Sequence, residues 1–253
     1  MDGVVLAVIP ARWGATRFPG KPLALLAGEP MIAHVVRRAA SARLVDEVVV
    51  ATDDVRVAAA ALVAGARVVM TGECASGTDR VAAAVLGRSD WAIVVNLQGD
   101  EPLLAGANVD ALVAGMLAAP QLMMGTLCRP LAPEFLGDPG AVKVVRDAAG
   151  RALYFSRSPI PYPRNPEVAA GLWRLHLGIY AFRRAGLERF VALPPSPLER
   201  AESLEQLRAL ENGIDIQVYD APHPSWGVDT PEDLRRAEEA LARISHRGAS
   251  RGR

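Results

Sequence analysis

The sequence predicts an α/β protein with a doubly wound, mostly parallel sheet and a smaller β-rich lobe. Between residues 4 and 119, short β-branched runs alternate with alanine-rich amphipathic stretches. These runs are continuously apolar, which is typical of parallel strands covered on both faces. After about residue 120 the alternation stops, and strand-like runs follow one another with short turns. The alternation favours repeated strand–helix units, and the later strands indicate the added lobe.

The first half consists of four predicted strand–helix pairs. The strands are β-branched runs of five to seven residues, and each helix repeats apolar positions at helical spacing. The strands are predicted at 4–10, 47–52, 66–70 and 91–97, and the helices at 30–42, 55–65, 77–87 and 108–119. We therefore expect the carboxyl ends of these strands to meet at one edge of the sheet, where open α/β sheets bind ligands.

The second half is predicted to contain more strands than helices. Strands are predicted within 122–131, 141–147, 152–157, 174–184 and 215–221, and helices at 196–213 (as a pair or as one long helix) and 230–244. "DAAG" joins two of the strands as a hairpin turn. Four prolines at 157–167 exclude a helix or a central strand there. We expect one domain over 1–244, a sub-lobe at about 125–200 and a disordered tail at 245–253.

Composition restricts the class of protein. Lys plus Arg and Asp plus Glu both number 28, so the formal net charge is zero, which argues against a general nucleic-acid-binding protein. No apolar run approaches the roughly 18 residues of a membrane span. The start of the chain has no basic segment typical of a signal peptide, and Cys74 and Cys128 give neither a disulfide framework nor zinc spacing. We expect a soluble cytoplasmic protein without nucleic-acid or membrane partners.

The loop after the first predicted strand is basic and rich in small residues and proline. It reads "IPARWGATRFPGKPL" and carries Arg12, Arg17 and Lys21. Small residues let backbone N–H groups approach an anion, and the guanidinium and ammonium groups suit phosphate oxygens. The Walker and dinucleotide glycine patterns are absent from the sequence. The alternative is a solvated loop whose cations face water, but its position after a strand favours a triphosphate site.

Acidic residues follow the fourth strand and precede the last helix. Asp100 and Glu101 lie in "VNLQGDEPLL", and Asp229 lies in "GVDTPEDL". Carboxylates facing a basic loop suit Mg²⁺ bound to substrate phosphates. The first stretch is also good turn chemistry, and Asp229 is equally suited to capping the helix. Spacing alone does not establish that the two aspartates meet.

Taken together, these stretches resemble the 3-deoxy-manno-octulosonate (Kdo) cytidylyltransferases, also called CMP-Kdo synthetases. The similarity extends over about residues 4–242, and eight motifs occur in the family's order. They are "IPARWGATRFPGKPL" (9–23), "SGTDR" (76–80), "NLQGDEP" (96–102), "AVKVV" (141–145), "ALYFSRSPIP" (152–161), "HLGIYAFR" (176–183), "SPLERAESLEQLR" (196–208) and "GVDTPEDL" (227–234). Trp13, Phe18 and Cys74 stand where the family usually has Tyr, Leu and a His or similar polar residue. The resemblance implies a Rossmann-like nucleotidyltransferase fold.

The resemblance also implies a reaction, in which CTP and Kdo give CMP-Kdo and pyrophosphate for lipopolysaccharide biosynthesis. By resemblance, Arg12 and Lys21 hold the triphosphate, with Arg17 near it, and Asp100 and Asp229 carry Mg²⁺. These four residues, Arg12, Lys21, Asp100 and Asp229, are the implied catalytic set. The cytidine part is implied to contact Pro10, Ala11, Ser76, Gly77, Arg80 and Gln98. One Mg²⁺ would orient the β,γ-phosphates, and a second is hypothesised to activate the attacking hydroxyl.

The acid sugar is implied to contact Arg157, His176, Tyr180, Glu205 and Gln206. Each has a structural alternative. Arg157 is also suited to capping its strand, His176 to a satisfied place in the core, and Glu205 to an ordinary helix pair with Arg208. His176 and Tyr180 are four residues apart and so share one face of a strand. Asp53 and Asp54 are interpreted as helix-start residues.

Other functions remain open at this point. The same transfer to 8-amino-Kdo or another acid sugar would change only the substrate pocket. A non-catalytic nucleotide-binding protein would be expected to lose Asp100, Asp229 or Lys21, and all three are present. A glycosyltransferase using "GDE" as a metal motif does not explain the basic loop. The resemblance further implies a homodimer, formed through the lobe between about 125 and 200.

Overall fold

The structure is a computed structural model and describes residues 3–14, 18–169 and 171–250. Its strands are β1 (Val4–Pro10), β2 (Leu25–Leu26), β3 (Glu29–Pro30), β4 (Glu47–Thr52), β5 (Arg67–Met70), β6 (Trp91–Asn96), β7 (Met124–Pro130), β8 (Lys143–Arg146), β9 (Ala152–Ser156), β10 (Arg174–Arg183) and β11 (Ile216–Asp220). Its α-helices are α1 (Met31–Ala40), α2 (Val55–Val63), α3 (Gly77–Val85), α4 (Gly106–Ala118), α5 (Pro166–Ala169), α6 (Arg184–Val191), α7 (Pro197–Glu202), α8 (Gln206–Glu211) and α9 (Pro231–Ser250). Single-turn 3₁₀ helices occupy Lys21–Leu23 and Pro133–Phe135.

Contacts divide the described chain into two compact units. The first unit contains residues 6–88, 96–107 and 225–250, and the second contains 3–5, 89–95 and 108–224. The second unit is therefore larger than the sub-lobe expected at about 125–200. No helix among the described residues is long and apolar enough to cross a membrane.

The first unit is built around parallel strands. β4 pairs with β1 on one side and β5 on the other, and Pro10 lies opposite Ala51 at the carboxyl end of β1. Leu6, Val8 and Ile9 are fully buried, as expected for a strand covered on both faces. A smaller apolar cluster, which includes residues of α9, packs with the segments that follow β1 and β6; its buried members are Leu26, Met31, Leu103, Val228 and Ala237. This arrangement places the loops after β1 and β6 beside the segment that precedes α9.

The second unit is mainly antiparallel. β10 pairs with β7, with a register shift between Leu177 and Tyr180, and β8 pairs with β9 through the predicted hairpin. Gly150 in that hairpin has φ +82°, a conformation that favours glycine. β11 adds parallel to β7. The α/β class with a β-rich part is therefore confirmed.

The structure decides one open alternative and differs from the sequence prediction in other details. Residues 196–213 form the predicted pair of helices and not one long helix, because Ser203 adopts a left-handed conformation (φ 52°) and ends α7. The short helix α5 begins at Pro166, inside the 157–167 segment where a helix was excluded, because proline is tolerated at the first helical position. Helix α6 was not predicted, because no side chain caps its start and its sequence carries no start signal. The last helix continues to Ser250, beyond the predicted end at 244, because no proline interrupts 245–250. The expectation of a disordered tail is corrected for 245–250.

Candidate active site

The basic loop leaves β1 at the carboxyl edge of the first unit. The amide of Ala11 donates to the carbonyl of Ala51 at 2.9 Å, which fixes the start of the loop against β4. Gly20 has φ +71° and turns the chain into the 3₁₀ helix that carries Lys21. Arg12 is exposed, so its guanidinium is accessible to a ligand. Arg17 lies outside the described residues.

Lys21 brings the two predicted acidic stretches together. Its Nζ lies 2.6 Å from Oδ2 of Asp100 and 3.2 Å from Oδ1 of Asp229. An ammonium group has three N–H donors, so two of them are used here and one remains for a ligand. Residues 21, 100 and 229 are far apart in sequence, and the fold places them at one point. Spacing left open whether the two aspartates meet, and the structure places both of them at Lys21.

The two aspartate segments are fastened to each other by further hydrogen bonds. The amide of Val228 donates to the carbonyl of Asp100 at 2.8 Å. The hydroxyl of Ser225 donates to Oε2 of Glu101 at 2.7 Å. Burial raises the pKa of Glu101 to about 7, an effect that the Ser225 hydrogen bond opposes and the neighbouring charge of Asp100 reinforces. Asp100 and Asp229 therefore lie on segments with fixed backbones.

The capping alternative for Asp229 does not hold. The cap of α9 is Thr230, whose hydroxyl accepts a hydrogen bond from the Asp233 amide at 3.2 Å. The side chain of Asp233 accepts in return from the Thr230 amide and hydroxyl. The carboxylate of Asp229 is instead turned to Lys21 and remains half-exposed. It is thus accessible to a metal or a substrate.

Among the residues predicted to hold the cytidine part, Gly77 lies between Pro10 and Gln98. Gly77 lies where an added Cβ would meet the Pro10 ring at 3.6 Å and the Gln98 amide at 3.7 Å. A Cβ on Gly99 would approach the Pro10 carbonyl oxygen at 3.0 Å. Ser76 uses its hydroxyl to cap α3 by accepting from the Asp79 amide. Ala11 is buried, so a ligand would meet its backbone environment and not an exposed side chain.

Arg80 is buried and held by several partners in the same unit. Its Nη2 donates to Oδ2 of Asp53 at 2.7 Å, and its Nη1 donates to the Thr71 hydroxyl at 2.5 Å. Asp53 was interpreted from the sequence as a helix-start residue, but Asp54 is the residue that caps α2. The role expected for Asp53 is therefore corrected: it is the counter-ion of Arg80.

The donor set at Lys21 fits a magnesium ion that also binds substrate phosphates. Mg²⁺ prefers oxygen ligands, and it is commonly held by one or two carboxylates together with phosphate oxygens and water. Asp100 and Asp229 supply two carboxylates on one ammonium. Among the described residues, no group of three or more His, Cys, Asp or Glu is suited to hold a metal. Asp100 and Asp229 are the residues that would hold such an ion.

Arg157, in the second unit, is held almost entirely by backbone carbonyls. Its Nε donates to the Glu202 carbonyl at 2.7 Å, its Nη1 to the Pro139 carbonyl at 2.9 Å and its Nη2 to the Ser203 carbonyl at 3.3 Å. The Glu202 carboxylate accepts from the Arg157 amide and from the Ser156 hydroxyl. Arg157 therefore caps the end of α7, and its orientation is fixed before any ligand arrives.

His176 and Tyr180 meet across the irregularity of β10, as their spacing predicted. Their ring centroids are 5.4 Å apart, and the His176 ring also meets Phe155 at 4.9 Å. Nε2 of His176 lies 3.0 Å from the Thr126 hydroxyl. Burial lowers the pKa of His176 to about 3 and raises that of Tyr180. Both side chains are therefore neutral hydrogen-bonding groups near pH 7.

Glu205 and Gln206 begin helix α8. Gln206 is buried, and its Nε2 finds no hydrogen-bond partner among the described residues. A buried amide nitrogen without a partner is costly, and a bound ligand would satisfy it. Glu205 is half-buried, and its charge contributes to the raised pKa of Tyr180. This places an electrostatic link between Glu205 and the His176–Tyr180 pair.

Sequence reasoning named Glu101 only as a carboxylate of the acidic stretch and gave Lys143 no role, and the structure places both beside predicted site residues. Glu101 is the buried partner of Ser225 described above. Lys143 is fully buried and donates to the carbonyls of Asp138 and Arg157 at 2.9 and 2.5 Å. Desolvation lowers its pKa. The sequence signal for this role was a lysine within the apolar motif "AVKVV", because a charge in a buried strand requires partners.

Comparisons with known proteins give the same family from sequence and from structure. A family profile described as cytidylyltransferase matches residues 6–216. A 3-deoxy-manno-octulosonate cytidylyltransferase of Anaeromyxobacter sp. (strain Fw109-5) is 56% identical over 241 residues, covering 94% of this chain and 97% of the relative. The enzyme of the same name from Syntrophotalea carbinolica is 50% identical over 247 residues, covering 94% and 98%.

Solved structures extend this similarity to the fold. A structure described as CMP:2-keto-3-deoxy-manno-octonic acid synthetase complexed with CTP has a TM-score of 0.90 and 44% identity, and the match covers 96% of this chain and 100% of that one. A cytidylyltransferase from Leptospira borgpetersenii serovar Hardjo-bovis has a TM-score of 0.64 at 18% identity, covering 95% and 87%. The second match concerns the fold alone.

Proposed function

The chain belongs to the family of 3-deoxy-manno-octulosonate cytidylyltransferases, and we propose on this premise that it transfers the cytidylyl group of CTP to Kdo with release of pyrophosphate. The observation that carries the proposal is the convergence of Asp100 and Asp229 on Lys21, beyond the carboxyl end of β1. A basic group between two carboxylates at this edge is suited to a metal-bound triphosphate. The relative complexed with CTP supports the choice of nucleotide.

On the nucleotide side, we assign the triphosphate to the basic loop. Arg12 presents an exposed guanidinium, which can form a fork with phosphate oxygens. Lys21 contributes an ammonium group, and its third N–H is assigned to the leaving pyrophosphate. Arg17 is placed near the phosphates on the basis of the family resemblance. Pro10, Ala11, Gly77, Gln98 and the α3 residues Ser76 and Arg80 are assigned to the cytidine part.

We further propose Mg²⁺ as the cofactor, with Asp100 and Asp229 as its protein ligands. The metal, when bound, supplies charge neutralisation at the phosphates of CTP. With the metal bound, Lys21 would be available to a phosphate oxygen. The hydrogen bond from the Val228 amide to the Asp100 carbonyl would hold the backbones of the two aspartate segments together.

On the acid-sugar side, we assign the carboxylate of Kdo to Arg157 and its hydroxyls to neutral and acidic groups. Arg157 is suited because its guanidinium is pre-oriented by three carbonyls, so little side-chain entropy is lost on binding. His176 and Tyr180 are neutral and act as hydrogen-bond partners. The Glu205 carboxylate accepts hydrogen bonds from sugar hydroxyls. The Gln206 amide nitrogen donates to a hydroxyl, which gives this buried nitrogen a partner.

The chemical step proposed is an in-line displacement at the α-phosphorus. The anomeric hydroxyl of Kdo forms a new P–O bond, the bond between the α-phosphorus and the bridging oxygen breaks, and pyrophosphate leaves. The proton of the hydroxyl is released to solvent or to a nearby carboxylate. Such a step depends on positioning and charge neutralisation more than on covalent help from the protein.

We also propose that the enzyme acts as a homodimer in the cytoplasm and supplies lipopolysaccharide synthesis. The second unit exposes several large apolar side chains, which are typical of an interface; they are Phe135, Leu153, Tyr162, Val168 and Leu172. Cys74 and Cys128 are free thiols, which agrees with a reducing compartment. Sedimentation of the purified protein, compared with a Tyr162→Asp variant, tests the dimer, which the variant is expected to weaken.

The experiment that tests the proposed function is pyrophosphate release by the purified protein with Mg²⁺ and CTP. Kdo, 8-amino-Kdo and sialic acid are supplied in parallel reactions. We expect release with Kdo alone. Release with 8-amino-Kdo alone would support cytidylyl transfer and contradict Kdo as the acceptor. If folded protein that binds CTP releases no pyrophosphate in any of the reactions, the catalytic proposal is wrong.

A further inference from the structure

Asp53 is a carboxylate whose two oxygens serve two different parts of the nucleotide side. Its Oδ2 accepts from Nη2 of Arg80 at 2.7 Å, and its Oδ1 accepts from the backbone amide of Trp13 at 3.3 Å. Arg80 lies on α3, whereas Trp13 lies in the basic loop. One side chain at the end of β4 thus joins the group assigned to the cytidine part with the loop assigned to the triphosphate.

Helix α2 is capped by the neighbouring Asp54, so Asp53 is not needed as the cap. Asp54 accepts from the amides of Arg56 and Val57 and caps α2. It also pairs with the Arg56 side chain through both oxygens. The helix start is therefore satisfied without Asp53. Its carboxylate is left to hold Arg80 and the loop.

The contact with Arg80 is strong because Arg80 is withdrawn from water. The Arg80 side chain is 5% exposed, and Asp53 is 33% exposed. The other partners of the guanidinium are neutral: the Thr71 hydroxyl and the Gly72 carbonyl. A buried guanidinium needs a counter-charge to remain in place, since leaving one unpaired is costly. Among the described residues, Asp53 supplies that counter-charge.

Trp13 carries the connection onward to Lys21. Its ring is covered by the Arg56 guanidinium, 3.5 Å from the ring centroid, in a cation–π contact. The ring also lies against the turn at Gly20, where an added Cβ would meet Cη2 of Trp13 at 2.8 Å. The Gly20 amide also donates to the Trp13 carbonyl at 3.3 Å. Gly20 directly precedes Lys21, so these contacts connect Trp13 with the start of the 3₁₀ helix.

We propose that Asp53 is a positioning residue for CTP, which orients Arg80 and the basic loop together through its two oxygens. The proposal rests on the assignment of CTP to this side of the protein. Asp53 acts through other residues and is not a catalytic group. Its loss is expected to weaken CTP binding and leave turnover at saturating CTP nearly unchanged.

The first test is calorimetric titration of CTP, in buffer with MgCl₂, into wild type, Asp53→Ala and Asp53→Asn. Loss of the partner of a buried charge is expected to raise the Kd for CTP about tenfold in the alanine variant. Asparagine keeps a neutral acceptor for the Trp13 amide and should give a smaller rise. Glu47→Gln is the matched control, because Glu47 also pairs with an arginine (Arg88, at 3.0 Å) in the same unit but away from the loop.

A double-mutant cycle separates positioning from general damage. If Asp53 acts through Arg80, Asp53→Asn adds little to the Kd in an Arg80→Gln background. Additive effects of the two substitutions would contradict action through Arg80. Turnover at saturating CTP should stay within about twofold of wild type in Asp53→Asn, as expected when only uniform binding is lost.

The second test is hydrogen exchange of residues 11–14 and 18–23, which needs neither CTP nor activity. Exchange should be faster in Asp53→Ala than in wild type, and unchanged in Glu47→Gln. A wild type that fails to bind CTP would overturn the proposed function, and the exchange experiment would still decide whether Asp53 orders the loop. Binding and exchange in Asp53→Ala equal to those of Glu47→Gln would overturn the inference.

Discussion

The regions proposed for the nucleotide and for the acid sugar hold their principal cations in different ways. Lys21 is paired with two carboxylates, and the side chains of Asp100 and Asp229 are 30% and 51% exposed. Arg157 is instead fixed by three backbone carbonyls, and the other two residues proposed for the sugar in this unit, His176 and Tyr180, are neutral. The first arrangement can exchange partners, whereas the second is built into the end of a helix.

This difference corresponds to the ligands proposed for each side. A triphosphate with Mg²⁺ introduces several charges, so the protein groups must be able to leave one another and pair with the ligand. A sugar acid carries one carboxylate and several hydroxyls, for which a pre-oriented fork and neutral partners are sufficient. Substitutions of the two carboxylates assigned to Mg²⁺ should therefore affect turnover, and those on the acid-sugar side should affect the KM for the sugar.

The largest effect is expected for Asp100→Ala. It removes one of the two carboxylates assigned to Mg²⁺, and a fall in kcat on the order of 10²–10³-fold is expected, as for other groups that stabilise transition-state charge. The required Mg²⁺ concentration should also rise. Pyrophosphate release over a Mg²⁺ titration measures both, with Glu134→Gln, an exposed carboxylate of the second unit, as control. Normal turnover in Asp100→Ala would contradict the assignment of Asp100 as a ligand of Mg²⁺.

A smaller and more selective effect is expected for Arg157→Lys. A lysine keeps the charge but cannot form the fork or contact three carbonyls at once, so the KM for Kdo should rise about tenfold. The KM for CTP should not change. Initial rates with each substrate varied in turn measure the two constants, and Arg164→Lys, at an exposed position, is the control. An equal rise in both constants would contradict the separation of the two sides.

The smallest effect is expected for the pH dependence of stability at His176. Its folded pKa of about 3 is below the unfolded value, so the unfolded state binds the extra proton between about pH 6.5 and 3. This contribution to stability is therefore nearly complete above about pH 7 and is lost as the pH falls, by about 1.4 kcal/mol at pH 5.5. His176→Gln should show a flatter decline in chemical denaturation at pH 7.5 and 5.5. Parallel declines in the two proteins would contradict a neutral, buried His176.

The sequence predicted most of the strands and the charged residues at their carboxyl ends. β1, β4 and β6 are marked by continuous apolar runs, and Lys21, Asp100 and Asp229 follow from loop chemistry combined with family resemblance. Helix α6 was not predicted, because its start has no side-chain cap. The residues 53 and 54 are identical aspartates in sequence. Only the fold separates the cap at Asp54 from the bridge at Asp53, since the partners of Asp53 are 27 and 40 residues away.

The central claim is that the α-phosphorus of CTP is transferred to Kdo. ³¹P NMR of wild-type protein with CTP, Mg²⁺ and Kdo, recorded at early times, follows each phosphorus directly. We predict one phosphodiester signal for each pyrophosphate formed, and no reaction when Kdo is omitted. The appearance of CDP with inorganic phosphate, or of CMP with pyrophosphate at a rate independent of Kdo, would contradict the account.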